Sequence, residues 1–175
     1  MSDPKVNQIR VSTCDLCDAH RADASGEFRV LQPVFESYGG LTSFFGDVYA
    51  VRCLEDNSVV KQAVESEGKG RVLVVDGAAS LKKSLVGGNL AASAASNGWS
   101  GLVVYGAVRD IAELRATQIG IRALALIPMP TERKNVGESG VDVEIAGANI
   151  RTGDWLYADE DGIVVASSPL HIGDA

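Results

Sequence analysis

Two stretches, Arg71-Val72-Leu73-Val74-Val75-Asp76 and Gly101-Leu102-Val103-Val104-Tyr105-Gly106, have continuous apolar interiors, without the polar alternation of a half-exposed strand. Such runs suit central strands covered on both faces, so the chain must supply a packing layer on each side of its sheet. Between them, Asn89 to Asn97 is dominated by Ala, Leu and Ser and stops at Gly98, which reads as a helix. Leu81 to Leu85 is a candidate short strand before it, and Asp110 to Thr117 a short helix after the second run, with Asp110 and Glu113 in its first turn.

The flanks extend this β-α alternation. Ser12-Thr13 supplies hydroxyl caps for a helix through Cys14-Asp15-Leu16-Cys17-Asp18-Ala19. Ser43 to Leu54 carries the β-branched and aromatic residues of a strand, and Asp56-Asn57-Ser58 caps a helix over Val59 to Ser66. Ile121 to Ile127 is a further strand, stopped by Pro128 and Pro130, and the polar segment from Thr131 to Gly140 is the expected mobile loop. After it, Val141 to Ile145, Asn149 to Arg151, Trp155 to Ala158 and Ile163 to Ala166 are short and turn-bounded, as in an antiparallel meander. The expected fold is α/β, layered, with mixed sheets, in one domain spanning residues 1–175.

Charge and cysteine content narrow the function classes. A net charge of -7 opposes direct nucleic-acid binding, which needs clustered Lys and Arg to neutralise phosphates. The apolar runs are too short to span a bilayer, and Met1-Ser2-Asp3-Pro4-Lys5 has no signal pattern, so a cytoplasmic protein without membrane contact is expected. The three cysteines, Cys14, Cys17 and Cys53, are an odd number and are expected as reduced thiols.

The chemistry-bearing residues sit at two turns that follow apolar strands. The first is Gly87-Gly88-Asn89-Leu90; the second is Gly106-Ala107-Val108-Arg109-Asp110, whose Arg109 follows Gly88 after 20 intervening residues. Ligand sites of α/β sheets lie at the carboxyl ends of strands, so both turns could border one site. There a helix N-terminus would offer amides to an anion, Arg109 a fixed fork of donors, and Asp110 a ligand for a hard cation. The bland alternatives are a steric role for the glycines and an exposed Arg109-Asp110 pair in which Asp110 only caps its own helix.

Other motifs carry less. Cys14-x-x-Cys17 with His20 lacks the four ligands of a structural zinc site, and His171 lies in the tail. Asp159-Glu160-Asp161 reads as a solvated turn rather than a calcium loop. No Gly-x-Gly-x-x-Gly, phosphate-binding loop or Gly-x-Ser-x-Gly elbow occurs.

Across roughly Ser12 to Ser168 the sequence resembles the RraA family, which is named for regulator of ribonuclease activity A. That family also holds the metal-dependent 4-hydroxy-4-methyl-2-oxoglutarate/4-carboxy-4-hydroxy-2-oxoadipate aldolases. The resemblance is carried by Glu55-Asp56-Asn57, Gly70 to Gly77, Leu85 to Leu90, Gly106 to Asp110, Ile119-Gly120-Ile121, Gly153-Asp154 and Asp159 to Ile163. The spacing Gly88, Arg109, Asp110, Glu113 matches the family's Gly-x20-Arg-Asp-x2-Glu pattern.

The resemblance implies a swivelling β/β/α fold, a homotrimer with sites between subunits, and a Mg²⁺ or Mn²⁺ cofactor. It further implies that Gly87, Gly88, Asn89 and Leu90 bind a substrate carboxylate, that Arg109 contacts the pyruvyl oxygen, and that Asp110 ligates the metal, with Arg109 and Asp110 as the catalytic pair. The implied reaction is cleavage of 4-hydroxy-4-methyl-2-oxoglutarate to two pyruvates, with oxaloacetate decarboxylation through the same enolate. Two departures accompany it: Asn89 stands where aldolases commonly carry an acidic residue, and the longer C-terminal segment of the larger aldolases is not expected. The alternative implied function is a non-catalytic regulator that binds the endoribonuclease RNase E. A quinone-pathway methyltransferase is a distant third.

Overall fold

The computed structural model describes residues 10–172; the N-terminal segment read above for a signal pattern lies outside them. In chain order the elements are α1 (Thr13–His20), β1 (Phe28–Val30), β2 (Glu36–Ser37), β3 (Phe44–Arg52), α2 (Ser58–Val64), β4 (Val72–Asp76), β5 (Ser84–Val86) and α3 (Gly88–Ser96). Then follow β6 (Gly101–Val108), α4 (Ile111–Ala116), β7 (Gly120–Leu126), β8 (Glu138–Ser139), β9 (Val143–Ile145), β10 (Ala148–Ile150), β11 (Trp155–Ala158) and β12 (Ile163–Ala166).

One ten-stranded mixed sheet runs β1-β12-β11-β3-β4-β6-β7-β2, with β5 beside β6 and β8 beside β3; β9 and β10 form a separate hairpin. Its parallel centre is β3, β4, β6 and β7, and its antiparallel wing is β11, β12 and β1.

The two apolar runs behave as their composition requires. In β4, Leu73 and Val75 join a core shared with Val60, Val64, Leu90, Ala94 and Leu114 from the helices. Val72 and Val74 face the opposite way, into a second core with Val143, Ile145, Ile150 and Leu156. β6 divides likewise, with Leu102 and Val104 on the helix side and Val103 on the other. The result is three layers: helices, central sheet, and the hairpin with its neighbouring strands.

The N-terminal ends of β6 and β7 carry no functional group but do carry a packing constraint. Gly101 and Gly120 are paired, and the Phe44 ring lies against both, so close that a methyl group at either would overlap it. Phe44 is buried, and the Arg122 guanidinium sits over its ring, 5.5 Å from the centroid. The ring therefore has little room to retreat. Gly120→Ala is expected to lower stability by about 1–3 kcal/mol, the usual cost of overpacking. A thermal melt at unchanged midpoint would contradict that packing.

Three readings change here. β5 begins at Ser84 rather than Leu81, and β1, β2 and β8 were not foreseen. Asp159 is no idle turn residue: its carboxylate accepts from Thr13 N at 2.7 Å and Thr13 Oγ1 at 2.6 Å, tying α1 to the end of β11. Ser12 caps α1 as expected, accepting from Asp15 N. The three cysteines are free, with Cys14 exposed and Cys53 buried. Among the described residues no helix is long and apolar enough to cross a membrane.

Candidate functional site

β5 and β6 run parallel and their last residues are partners, Val86 with Val108. The turn after each strand therefore emerges at the same sheet edge, and the backbone joins them: Arg109 N donates to Val86 O at 2.9 Å. Gly87-Gly88 and Arg109-Asp110 do meet, as their spacing predicts.

Asp110 does not cap its own helix. It is the residue preceding α4, but it adopts φ 65 and ψ 48, the left-handed region, and its side chain makes no capping bond to α4. Asp tolerates that region better than most residues, at some local cost. The twist sends the carboxylate across to α3, where Oδ2 accepts from Gly88 N at 2.9 Å. The acidic group thus occupies one of the open amides at the N-terminus of α3, where the helix dipole favours negative charge.

The glycines are required by proximity. A Cβ on Gly87 would lie 2.7 Å from Asp110 Oδ2 and 3.4 Å from Arg109 Nε, while one on Gly88 would overlap the Glu113 carboxylate. Gly87 has φ -125, which any residue adopts, so close approach and not backbone freedom decides the residue type there. Two carboxylates and a guanidinium are thereby packed against one bare turn. Arg109 Nη1 donates to Pro128 O at 3.2 Å, which steadies the fork and leaves its other nitrogens available. The amides of Asn89 and Leu90, in the first turn of α3, have no intrahelical acceptor.

These groups line a cavity of about 170 Å³ that also includes Asn57, Thr131 and Arg133. It is small beside the roughly 300–1,000 Å³ of drug-sized sites, and suits a compact acid. Gly87, Asn89, Leu90, Arg109 and Asp110 all border it. Gly88 lies beneath, bound to Asp110.

Asn57, Thr131 and Arg133 were not foreseen as site residues. Asn57 is buried and its Nδ2 donates to Leu85 O at 3.0 Å, while its Oδ1 accepts from Thr131 Oγ1 at 2.8 Å and Arg133 Nε at 3.0 Å. Ser84 N donates to Met129 O, which draws the segment after β7 alongside β5. The available signals were the Glu55-Asp56-Asn57 block of the family resemblance and the polar composition of 131–140.

That segment is also tethered, contrary to the expected mobility. The buried Asp56 carboxylate accepts from Ser58 N and Oγ, and from Lys134 N at 2.8 Å and Val136 N at 3.2 Å. Burial alone would raise its pKa, but these hydrogen bonds outweigh it and hold the group at about 2, below the ordinary 3.8. A carboxyl with a depressed folded-state pKa stabilises the fold above its unfolded value and loses that contribution as pH falls through the folded one. The tether should therefore hold at neutral pH and weaken from about 4 down to about 2. Asp56→Ala is expected to expose the 131–137 segment to trypsin at neutral pH; an unchanged digestion pattern would show that other contacts hold the loop.

Among the described residues no three His, Cys, Asp or Glu side chains cluster as a metal-binding group. The donor set nonetheless fits a hard cation such as Mg²⁺, which commonly takes one or two carboxylates and completes its shell with water and substrate oxygens. Asp110 Oδ1 has no partner among the described residues, and the Glu113 carboxylate lies against Gly88, the residue whose amide Asp110 Oδ2 accepts from.

Comparison with known proteins places these features. The RraA-like family model, described as Aldolase/RraA, matches residues 13–165. A protein of Albidiferax ferrireducens named "Putative 4-hydroxy-4-methyl-2-oxoglutarate aldolase" is 56% identical, over 91% of this chain and 96% of its own. The solved structure of the RNA-processing inhibitor RraA from Thermus thermophilis is 42% identical, covers 92% of this chain and 95% of its own, and superposes with a TM-score of 0.86. A Geobacillus kaustophilus structure described as an S-adenosylmethionine:2-dimethylmenaquinone methyltransferase is 38% identical, covers 91% and 97%, and also reaches 0.86.

Proposed function

The chain belongs to the RraA-like family, and from that premise we propose that it is a divalent-metal-dependent carbon–carbon lyase. Its substrate would be 4-hydroxy-4-methyl-2-oxoglutarate, cleaved to two pyruvates, with oxaloacetate decarboxylation as a secondary activity. The single observation that carries this reading is the convergence of Arg109, Asp110 and the α3 amides on one small cavity. The shared name of relatives at 48–56% identity supports the reaction class.

Cleavage breaks the C3–C4 bond, leaves its electron pair on the pyruvyl half as an enolate, and turns the C4 hydroxyl into a ketone as its proton passes to water; protonation of the enolate at C3 then completes the second pyruvate with no net change in protons. The Asn89 and Leu90 amides would receive the C1 carboxylate at the positive end of α3. Arg109, steadied by Pro128 O, would donate to the C2 oxygen, where charge develops, and so lower the barrier. It cannot be the base, since a guanidinium stays protonated in proteins. Asp110, aided by Glu113, would hold Mg²⁺ or Mn²⁺, which when bound supplies Lewis-acid stabilisation of the same developing charge. Oxaloacetate yields the same enolate on losing CO₂, so one set of donors serves both reactions.

The proposal includes a homotrimer with sites at subunit boundaries. Leu126, partner of Val108, and Met129, bonded to Ser84, are large, apolar and exposed close to the cavity, which suits cover by a neighbouring copy. A cytoplasmic location suits the three unbridged thiols.

The test is pyruvate release from both acids, with Mg²⁺ and after chelation. Metal-dependent release supports the lyase; absent or metal-indifferent release rejects it. The second reading, a regulator that binds RNase E, is favoured by the 42% identical RNA-processing inhibitor. It would be supported by capture of RNase E by a protein without turnover.

A further inference from the structure

The cavity holds more positive charge than a pyruvyl group uses. Arg109 and Asp110 stand at one wall, and Arg133 borders the same space from the segment after β7. Within a chain of net charge -7, a second guanidinium at so small a site calls for its own anion.

Arg133 is exposed and also borders a groove along α2 with Lys61 and Glu65, but its guanidinium is anchored through Asn57, which lines the cavity. Its Nε is committed to Asn57 Oδ1 at 3.0 Å, and that oxygen is itself fixed, because Thr131 Oγ1 shares it and Asn57 Nδ2 is tied to Leu85 O. Asn57 is 6% exposed, so this support cannot swing with the surface. The two terminal nitrogens of Arg133 have no partner among the described residues. Together they form the fork that binds a carboxylate in bidentate fashion.

We infer that Arg133, positioned by Asn57 and Thr131, is the specificity residue that reads the far carboxylate of a 2-oxo diacid whose 2-oxo end lies at Arg109. The inference rests on the reading of Arg109 and the α3 amides as the 2-oxo-acid site, and it adds to that site the residue that reads the carboxylate one carbon beyond the bond that breaks. In retro-aldol cleavage that carboxylate survives on the departing product, so the Arg133 contact persists through the reaction. In oxaloacetate the far carboxylate is the one lost as CO₂, and a cation gripping it would oppose its departure. Arg133 therefore favours the hydroxy diacid over oxaloacetate.

The probe is a pair of acids of equal length, 2-oxoglutarate and 2-oxopentanoate, which differ in a terminal carboxylate against a methyl group. Neither carries the C4 hydroxyl needed for cleavage, so calorimetry in Mg²⁺ reads binding alone. The wild-type chain is expected to prefer 2-oxoglutarate by about 10–100-fold, the size of a hydrogen-bonded charge pair. Arg133→Gln should abolish the preference, with the loss falling mainly on 2-oxoglutarate, and Arg133→Lys should restore part of it. Equal binding of the two acids by the wild type, or a preference that survives in Arg133→Gln, would overturn the inference. Wild-type pyruvate release is measured beside it: a preference that depends on Arg133 without turnover would reject the lyase and keep the diacid site.

Discussion

Arg109→Ala is expected to lower kcat/KM for pyruvate release by about 10²–10³-fold, or roughly 3–4 kcal/mol, the usual loss when one donor to a developing oxyanion is removed. The loss should fall mainly on kcat, because the enolate oxygen carries more charge than the ketone it came from. Folding should hardly change. The Arg109 side chain is only partly buried and its one protein acceptor is the exposed Pro128 carbonyl, whereas the bond that joins the two turns uses the Arg109 backbone and survives the substitution. Arg109→Lys keeps the charge but not the planar fork, and should recover little. Turnover in Arg109→Ala near the wild-type rate would remove the guanidinium from the mechanism.

Asp110→Ala should be at least as damaging to activity, by about 10³-fold or more, since it removes the proposed cation ligand and with it several kcal/mol of charge stabilisation. It has a structural cost as well. The carboxylate caps α3 through Gly88 N, and loss of such a cap typically costs about 1 kcal/mol. Asp110→Asn separates the two effects. An amide oxygen can still accept from Gly88 N and Asn tolerates the left-handed backbone, so stability should recover while metal-dependent activity does not. An Asp110→Asn protein with full, metal-dependent activity would show that the carboxylate only holds the helix.

What could be read from the residues was what depends on local pattern. β4 and β6 were legible because burial on both faces imposes an unbroken apolar run, and their side chains do divide between two cores. β1, β2 and β8 were not, because strands of two or three residues have no period of their own and exist through the partner they pair with. The site was half legible for the same reason. Gly87 to Leu90 and Arg109-Asp110 announce themselves as turns after strands, and parallel pairing of those strands brings them together. Arg133 reaches the cavity through a bond to Asn57, 76 positions away in the chain, which no local pattern encodes. The direction of the Asp110 carboxylate was hidden in a single backbone angle: helical convention assigns it to α4, and the left-handed twist gives it to α3.

The acidic loop anchor illustrates a further limit. Asp56 precedes α2 and reads as an ordinary cap, but its carboxylate also binds Lys134 N and Val136 N, so it holds the far wall of the cavity in place. A residue chosen for helix capping thus shapes the position from which Arg133 meets the ligand.

The most direct measurement is exchange of the methyl protons of pyruvate with deuterium oxide, followed by proton NMR, because that exchange requires the enolate and nothing else of the reaction. The wild-type protein with Mg²⁺ should catalyse it, and chelation or Asp110→Asn should abolish it. Exchange that is absent from the wild type, or that continues unaltered without the cation and the Asp110 carboxylate, would contradict enolate stabilisation at this site.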